Sequence, residues 1–143
     1  MPNTDLRISR TNISLNEFLN PEGLVPTQGR YSQIVRATGR SILFISGQVS
    51  RDGSGNIVGK GDFAAQAEQI FTNLSMALRS QRASFTDVTK ITTYVIDMRF
   101  RDELRKVVSK YFQTTHPAST LVEVSHLADP DYMLEIEAIA VVE

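Results

Sequence analysis

The alternation of apolar and polar residues over 134–142 predicts a strand at the centre of a sheet. Its even-numbered positions are all apolar, and its odd-numbered positions begin with two carboxylates and end with two apolar residues, in the order Glu135, Glu137, Ile139 and Val141. A strand presents these two sets of side chains to opposite faces. Because a strand that is largely apolar on both faces is usually covered on both sides, the carboxylates at its start require partners or a cleft.

Periodic segments elsewhere in the chain predict two helices and four more strands. Apolar residues recur every three or four positions after Asp62, a suitable N-cap, and again after Arg101. Pro117 ends the second helical segment and precedes a short β-rich run. In chain order the predicted elements are strands at 31–37 and 42–46 joined as a hairpin, a helix at 62–81, a strand at 87–96, a helix at 101–112, and strands at 121–124 and 134–142.

This ββαβαββ order indicates an α+β fold with one mixed sheet and both helices on the same face. Residues 1–28 lack periodicity and contain Asn20-Pro21 and Pro26, so we interpret them as an irregular lead-in to a single domain of residues 29–143. The second face of the sheet has no cover within this order of elements. We therefore expect it to be buried against other copies of the chain, with closed cyclic symmetry.

Charge and composition restrict the partners. The 143 residues include 15 Lys and Arg against 16 Asp and Glu, a formal net charge of −1 that offers no basic surface for nucleic acid or an anionic membrane. The absence of cysteine excludes disulfides, thiolate metal ligands and a cysteine nucleophile. Residues 1–15 carry charges and no continuous apolar segment, so they predict neither a signal peptide nor a membrane anchor, and we expect a cytoplasmic location.

Six short motifs spread along residues 29–142 resemble the Rid family (YjgF/YER057c/UK114) in sequence and order. They are YSQ at 31–33, FISGQ at 44–48, DM at 97–98, PA at 117–118, VEV at 122–124 and LEIEAIAV at 134–141. The resemblance implies a chorismate-mutase-like fold, a homotrimer and ligand clefts between subunits. It also implies hydrolysis of reactive enamines and imines, released by pyridoxal-phosphate enzymes, to 2-oxo acids and ammonia.

One motif departs from the family's deaminase pattern at the position that would bind the substrate carboxylate. The pattern there is Pro-Ala-Arg-Ser, whereas this chain has Pro117, Ala118, Ser119 and Thr120. A guanidinium binds a carboxylate through two parallel charge-assisted hydrogen bonds, which a serine hydroxyl cannot replace. The resemblance therefore implies a substrate-binding position at Ser119 with altered specificity.

Arg105 is a candidate replacement for the missing anion anchor. Counted without a gap from Asp97, it occupies the position where deaminases of the family carry an asparagine that lines the cleft. A guanidinium on a helix could enter the same cleft and bind the substrate. Alternatively, Arg105 is one of several cations on a solvated helix face that also carries Arg101, Lys106 and Lys110.

The resemblance also assigns the remaining site residues. Glu135 would hold or deliver the attacking water as a general acid or base. Ser46 and the Gly47 backbone would bind and polarise the substrate, and Tyr31 would close over it. From the pattern alone each has a structural alternative: Glu135 pairs with a cation, Ser46 and Gly47 end a strand, and Tyr31 packs with its hydroxyl satisfied.

His116 and His126 are the only histidines, and they form no metal-ligand spacing with nearby carboxylates on one helix. We therefore expect no metal and no cofactor. The chain also has no Gly-rich phosphate loop and no Gly-x-Ser-x-Gly motif. The two histidines could act as the acid and base of a ribonuclease, but the lack of a basic patch argues against RNA as a partner.

Two functions of different classes follow from the sequence. One is hydrolysis of an enamine, an imine or a related small metabolite in clefts between subunits. The alternative is a non-catalytic small-molecule-binding or stress-associated protein on the same scaffold. Ser119 distinguishes both functions from that of an ordinary deaminase, but it does not distinguish them from each other. A panel of imines assayed for ammonia release would distinguish them.

Overall fold

The computed structural model describes residues 14–143, so residues 1–13 of the predicted lead-in lie outside the described residues. In chain order its elements are β1 (Glu17–Leu19), β2 (Ile34–Arg36), β3 (Ser41–Gln48), α1 (Phe63–Ser80), β4 (Val88–Val95), α2 (Arg101–Tyr111), β5 (Ala118–Glu123) and β6 (Leu134–Val142). Short 3-10 turns at Phe85–Asp87 and Met98–Phe100 precede β4 and α2. From β2 onward the elements follow the predicted ββαβαββ order, and β1 adds a short strand before them.

β6 lies inside a four-stranded sheet whose order is β3-β6-β4-β5. It runs antiparallel to both β3 and β4, whereas β5 runs parallel to β4, so the sheet is mixed. α2 supplies the crossover that a parallel pair of strands requires. The pairing confirms that residues 134–142 form a central strand, and it confirms the predicted α+β class.

The two faces of the sheet differ in what covers them. Leu134, Ile136 and Ala140 of β6 have no exposed surface and belong to one core with residues of α1 and α2. The opposite face, which we call the helix-free face, carries Ile42 and Phe44 of β3, whose exposed fractions are 58% and 77%. Both helices therefore lie on one face, as predicted.

The predicted hairpin of strands 31–37 and 42–46 is wrong. β2 pairs with β1 in a separate two-stranded sheet, and β3 pairs with β6. The backbone N–H of Arg40 donates to the Val142 carbonyl at 2.9 Å, and a Cβ on Gly39 would lie 2.6 Å from the same oxygen. The segment predicted as a hairpin turn is therefore held against the end of β6 by contacts distant in sequence, and β2 is shorter than predicted.

Contacts between the helices hold α2 in place beside the sheet. Glu68 on α1 accepts hydrogen bonds from the Lys110 ammonium and the Tyr111 hydroxyl on α2. The Tyr111 ring stacks on Phe71 of α1, with ring centroids 4.4 Å apart. Burial, together with the hydrogen bond to Glu68, raises the pKa of Tyr111 to about 12. These contacts fix the helix that forms one wall of the candidate site.

Gln66, a fully buried polar residue of α1, fixes the chain that leads into β6. Its side-chain amide donates to the carbonyls of Gly59 and Asp131 at 3.2 and 2.9 Å, and its carbonyl accepts from the Met133 backbone N–H at 2.9 Å. Buried backbone groups are costly when they lose their partners. Gln66 thus sets the position at which β6 begins.

We expect Gln66→Ala to lower the free energy of unfolding by about 2–4 kcal/mol, because it leaves a cavity and removes three hydrogen bonds to the backbone. Chemical denaturation followed by circular dichroism measures the change. Gln113→Ala is the control, since the exposed Gln113 side chain makes one hydrogen bond, to the Lys110 carbonyl. Equal, small costs for the two variants would contradict a structural role for Gln66.

Candidate functional site

A cavity of about 430 Å³, which we call the α2 cavity, lies between α2, the neighbouring parts of β4 and β5, and residues 26–31. The core side chains Ile91, Leu104 and Phe112 form part of its wall. It brings together three residues assigned from the sequence, namely Tyr31, Arg105 and Ser119. These come from three separate elements, and the fold alone makes them neighbours.

A tight turn places Tyr31 at the cavity. The Arg30 backbone N–H donates to the Thr27 carbonyl at 3.2 Å, and the two residues between them, Gln28 and Gly29, have φ values of 55° and 69°. A left-handed backbone is uncommon for a residue other than glycine, and such strain clusters at functional sites. Ser32 then ties the segment to β5, because its backbone N–H donates to the Pro117 carbonyl at 3.2 Å.

Ser119 of β5 and Arg105 of α2 both line this cavity. Ser119 pairs with Ile91 in the parallel ladder and so shares the helix-covered face of the sheet. Arg105 is half-buried, with 34% of its side chain exposed, and its Nη1 donates to Asp102 Oδ1 at 3.1 Å. The structure therefore places Arg105 and Ser119 at the same cavity.

Ser46, Gly47 and Glu135 lie in a different part of the molecule. The register between β3 and β6 shifts between Ile45 and Gln48, so Ser46 and Gly47 form an irregularity of the kind that often occurs beside active sites. A Cβ on Gly47 would lie 1.9 Å from Glu135 Oε1. Only a glycine therefore leaves the Glu135 carboxylate where it is.

Glu137 has a partner that the sequence did not indicate. The Tyr94 hydroxyl of β4 donates to Glu137 Oε1 at 3.1 Å. This hydrogen bond, with burial and the nearby carboxylates of Glu137 and Glu135, raises the pKa of Tyr94. Glu137 is thus bound within the sheet, whereas no protein hydrogen bond to the Glu135 carboxylate is formed within residues 14–143.

The two groups of candidate residues do not meet within one chain. Glu135 alternates with the core residues Leu134 and Ile136, so it lies on the helix-free face, and the α2 cavity lies on the helix-covered face. Side chains on opposite faces of one sheet cannot act on the same small molecule. The groups can therefore form one site only if a second copy of the chain supplies one of them.

Several residues of the α2 cavity were not identified from the sequence. Arg30, Arg101 and Thr93 line it, although they lie on the turn, at the start of α2 and in β4. Their approach depends on tertiary packing, so no local spacing reveals it. Over residues 14–143 no group of three His, Asp or Glu side chains is placed to hold a metal ion, and no helix is long and apolar enough to cross a membrane.

Known proteins are similar to this chain over most of its length. The family model described as Endoribonuclease L-PSP matches residues 24–142. A RutC family protein of Pyrococcus horikoshii is 36% identical over 126 residues, which cover 88% of this chain and 98% of the relative. A 2-iminobutanoate/2-iminopropanoate deaminase of Bos taurus is 35% identical over 113 residues, which cover 79% of this chain and 80% of the relative.

Solved structures agree with these relatives. A crystal structure of a protein of unknown function in the Rid family, from Yersinia pestis, superposes with a TM-score of 0.84 at 30% identity, covering 89% of this chain and 98% of that one. A crystal structure of a member of the YjgF/YER057c/UK114 family from Mycobacterium tuberculosis is also similar, with a TM-score of 0.62 at 30% identity over 78% of this chain and 86% of that one. This likeness confirms the chorismate-mutase-like fold expected from the resemblance.

The contact between Gly47 and Glu135 is testable by a double-mutant cycle. We expect Gly47→Ala to destabilise the protein by about 1 kcal/mol more when Glu135 is present than in a Glu135→Ala background, because the three heavy atoms nearest to a new methyl group belong to Glu135. Thermal or urea unfolding of the four proteins measures the coupling.

Gly53→Ala is the matched control, since a Cβ there would have no heavy atom within 4 Å. It should cost the same in both backgrounds. An equal cost for Gly47→Ala in the two backgrounds would mean that Glu135 does not hold its carboxylate against this glycine.

Proposed function

Because the chain belongs to the Rid family, we propose that it hydrolyses a reactive imine or enamine of a small metabolite. Relatives named 2-iminobutanoate/2-iminopropanoate deaminase support this reaction class at 35% and 32% identity. The observation that carries the proposal is the placement of Tyr31, Arg105 and Ser119 around one cavity. In this reaction water adds to a C=N bond, the C–N bond then breaks, and a carbonyl compound and ammonia are released.

Each candidate residue has a role that its position allows. Glu135 would orient the water and take its proton, a task for a carboxylate with no protein partner. The Gly47 backbone and the Ser46 hydroxyl, next to Glu135, would polarise the C=N bond through hydrogen bonds. Tyr31 would close over the substrate from the turn at 27–30.

We propose that the site is completed between copies of the chain in a homotrimer. Support comes from the opposite faces occupied by Glu135 and Arg105, and from the exposed apolar side chains of Ile42, Phe44 and Val122 on β3 and β5. An apolar face of this kind is typical of a subunit interface. Closed cyclic symmetry would bring the Glu135 of one copy to the α2 cavity of another.

Arg105 would bind the substrate carboxylate in place of the arginine that Ser119 replaces. Its guanidinium has one hydrogen bond to Asp102, whose side chain is 87% exposed, so the remaining N–H groups can bind a ligand. Anchoring from α2 instead of β5 would shift the substrate within the cleft and change the specificity of the site.

We further propose a cytoplasmic location, where imines released by pyridoxal-phosphate enzymes would be available.

The reaction is tested with 2-aminoacrylate and a panel of enzymatically generated imines, read out as ammonia released above the spontaneous rate. We expect the wild type to accelerate hydrolysis of at least one imine, and Glu135→Gln to lower kcat by about 100-fold or more.

Arg105→Ala should raise KM by about 10-fold or more through loss of a charge-assisted hydrogen bond. Lys106→Ala, an exposed cation of the same helix, should change neither constant.

Two results would change the assignment. If the wild type is inactive on 2-aminoacrylate and only Ser119→Arg gains activity, Arg105 does not replace the missing anchor. If no imine is hydrolysed although a small molecule still binds between subunits, the protein is the non-catalytic binding alternative.

The proposed assembly gives a separate prediction. Size-exclusion chromatography with light scattering should give three times the chain mass of 15.9 kDa for the wild type and one chain mass for Phe44→Glu. A carboxylate in place of Phe44 would be buried without a partner at the interface. Met76→Glu, at a 53% exposed position on α1, should remain trimeric. A monomeric wild type would refute the composite site.

A further inference from the structure

The side chains that line the α2 cavity include cations but no anions. Arg30, Arg101 and Arg105 reach it from the 27–30 turn and from α2, His116 lies beside them, and no aspartate or glutamate contributes to the lining. Cations gathered around a concave surface raise its positive potential and attract anions. This lining contrasts with the overall charge of −1. The cavity therefore selects for negative charge in its ligand.

The arginines are not neutralised by protein carboxylates. Arg105 shares one hydrogen bond with Asp102, and the carboxylate of that residue is largely exposed to solvent. Arg30 and Arg101 have no ion pair or side-chain hydrogen bond to any of residues 14–143. One substrate carboxylate bound to Arg105 would leave these two guanidinium groups without an anionic partner.

A buried hydroxyl inside the cavity also lacks a protein partner. Thr93 is 3% exposed and lines the cavity between β4 and α2. Its hydroxyl makes no hydrogen bond within residues 14–143, yet no side-chain polar atom among them is both fully buried and unpaired, so the hydroxyl is open to the cavity. Buried hydroxyls normally have a partner, which here a ligand can supply.

The size of the cavity favours a ligand longer than a four-carbon acid. Its volume is about 430 Å³. The four-carbon 2-iminobutanoate in the name of the bovine relative carries a single carboxylate and would leave much of this space to water. A longer acid could reach from Arg105 to the other two arginines.

We propose that the substrate carries a second anionic group, a carboxylate or a phosphate, which Arg30 and Arg101 bind while Arg105 binds the carboxylate next to the C=N bond. The inference rests on the proposed function for the reaction, because it names the class of imine that this site would hydrolyse. The ligand preference itself is measurable without turnover. Arg30 and Arg101 are then specificity-determining residues, since they act on the end of the substrate that does not react.

Binding of 2-oxo acids, the products of the proposed reaction, tests the preference by calorimetry at low ionic strength. The ligands are the dianion 2-oxoglutarate, 3-phosphohydroxypyruvate, whose phosphate brings its charge to about −2.5 to −3 near pH 7, and the monoanion 4-methyl-2-oxopentanoate. We expect at least one of the first two to bind about 10-fold or more tightly than the monoanion. The tighter of these two identifies the second group as carboxylate or phosphate.

Substitutions test whether Arg30 and Arg101 cause the preference for a second anionic group. Arg30→Gln and Arg101→Gln should each reduce the ratio of dianion to monoanion affinity by about 10-fold and leave monoanion binding unchanged. Lys106→Gln, which removes an exposed cation of α2 outside the cavity, should leave the ratio unchanged. Equal affinity for dianions and monoanion, no binding of any of the three acids, or a preference that survives both arginine substitutions would overturn the inference.

Turnover separates this inference from the proposed function. Amino-acid oxidases acting on glutamate and leucine supply a dianionic and a monoanionic imine of similar length. Hydrolysis of both at equal rates would refute the inference and leave the function standing. Preferential binding of a dianion without hydrolysis of any imine would refute the function and leave the cavity's preference for dianions standing.

Discussion

The placement of β6 between β3 and β4 is the interaction on which the rest of this structure depends. Its backbone pairs in antiparallel fashion with β3 on one side and β4 on the other. Its even-numbered side chains form much of the core beneath α1 and α2. Its odd-numbered side chains put Glu135 and Glu137 on the helix-free face. A shift of register by one residue would exchange these sets, burying carboxylates and exposing the core residues. One strand therefore determines both stability and the location of the candidate general base.

The fold was largely predictable because its main elements have strong periodicity. α1, α2 and β6 appeared where apolar residues repeat at helical or strand spacing, and the Asp62 side chain accepts from the Ala65 N–H at 3.0 Å as an N-cap should. The hairpin was not predictable. Thr38-Gly39-Arg40 has the composition of a tight turn, but a hydrogen bond from Arg40 to a residue about 100 positions away decides where that segment lies.

The candidate site was only partly accessible from the sequence. Tyr31, Ser119 and Glu135 were identified by family motifs, and the structure adds where they lie: two on the helix-covered side and one on the helix-free face. Arg30, Arg101 and Thr93 belong to no motif, and their meeting depends on how α2 packs beside β5. In the proposed site, Arg105 on α2 would supply from a helix the positive charge that the family motif supplies from a strand.

The central position of β6 also has a consequence for how the chain folds during synthesis. β6 follows every other element in sequence, yet it is the strand that joins β3 to β4. Until residues 134–142 emerge from the ribosome, α1 and α2 have only part of the sheet to pack against, and β3 has no strand partner within residues 14–143. Parallel β4 and β5 can pair earlier, but an unfinished sheet exposes strand edges and apolar surface. The nascent chain therefore leaves these edges and this apolar surface uncovered until its last strand inserts.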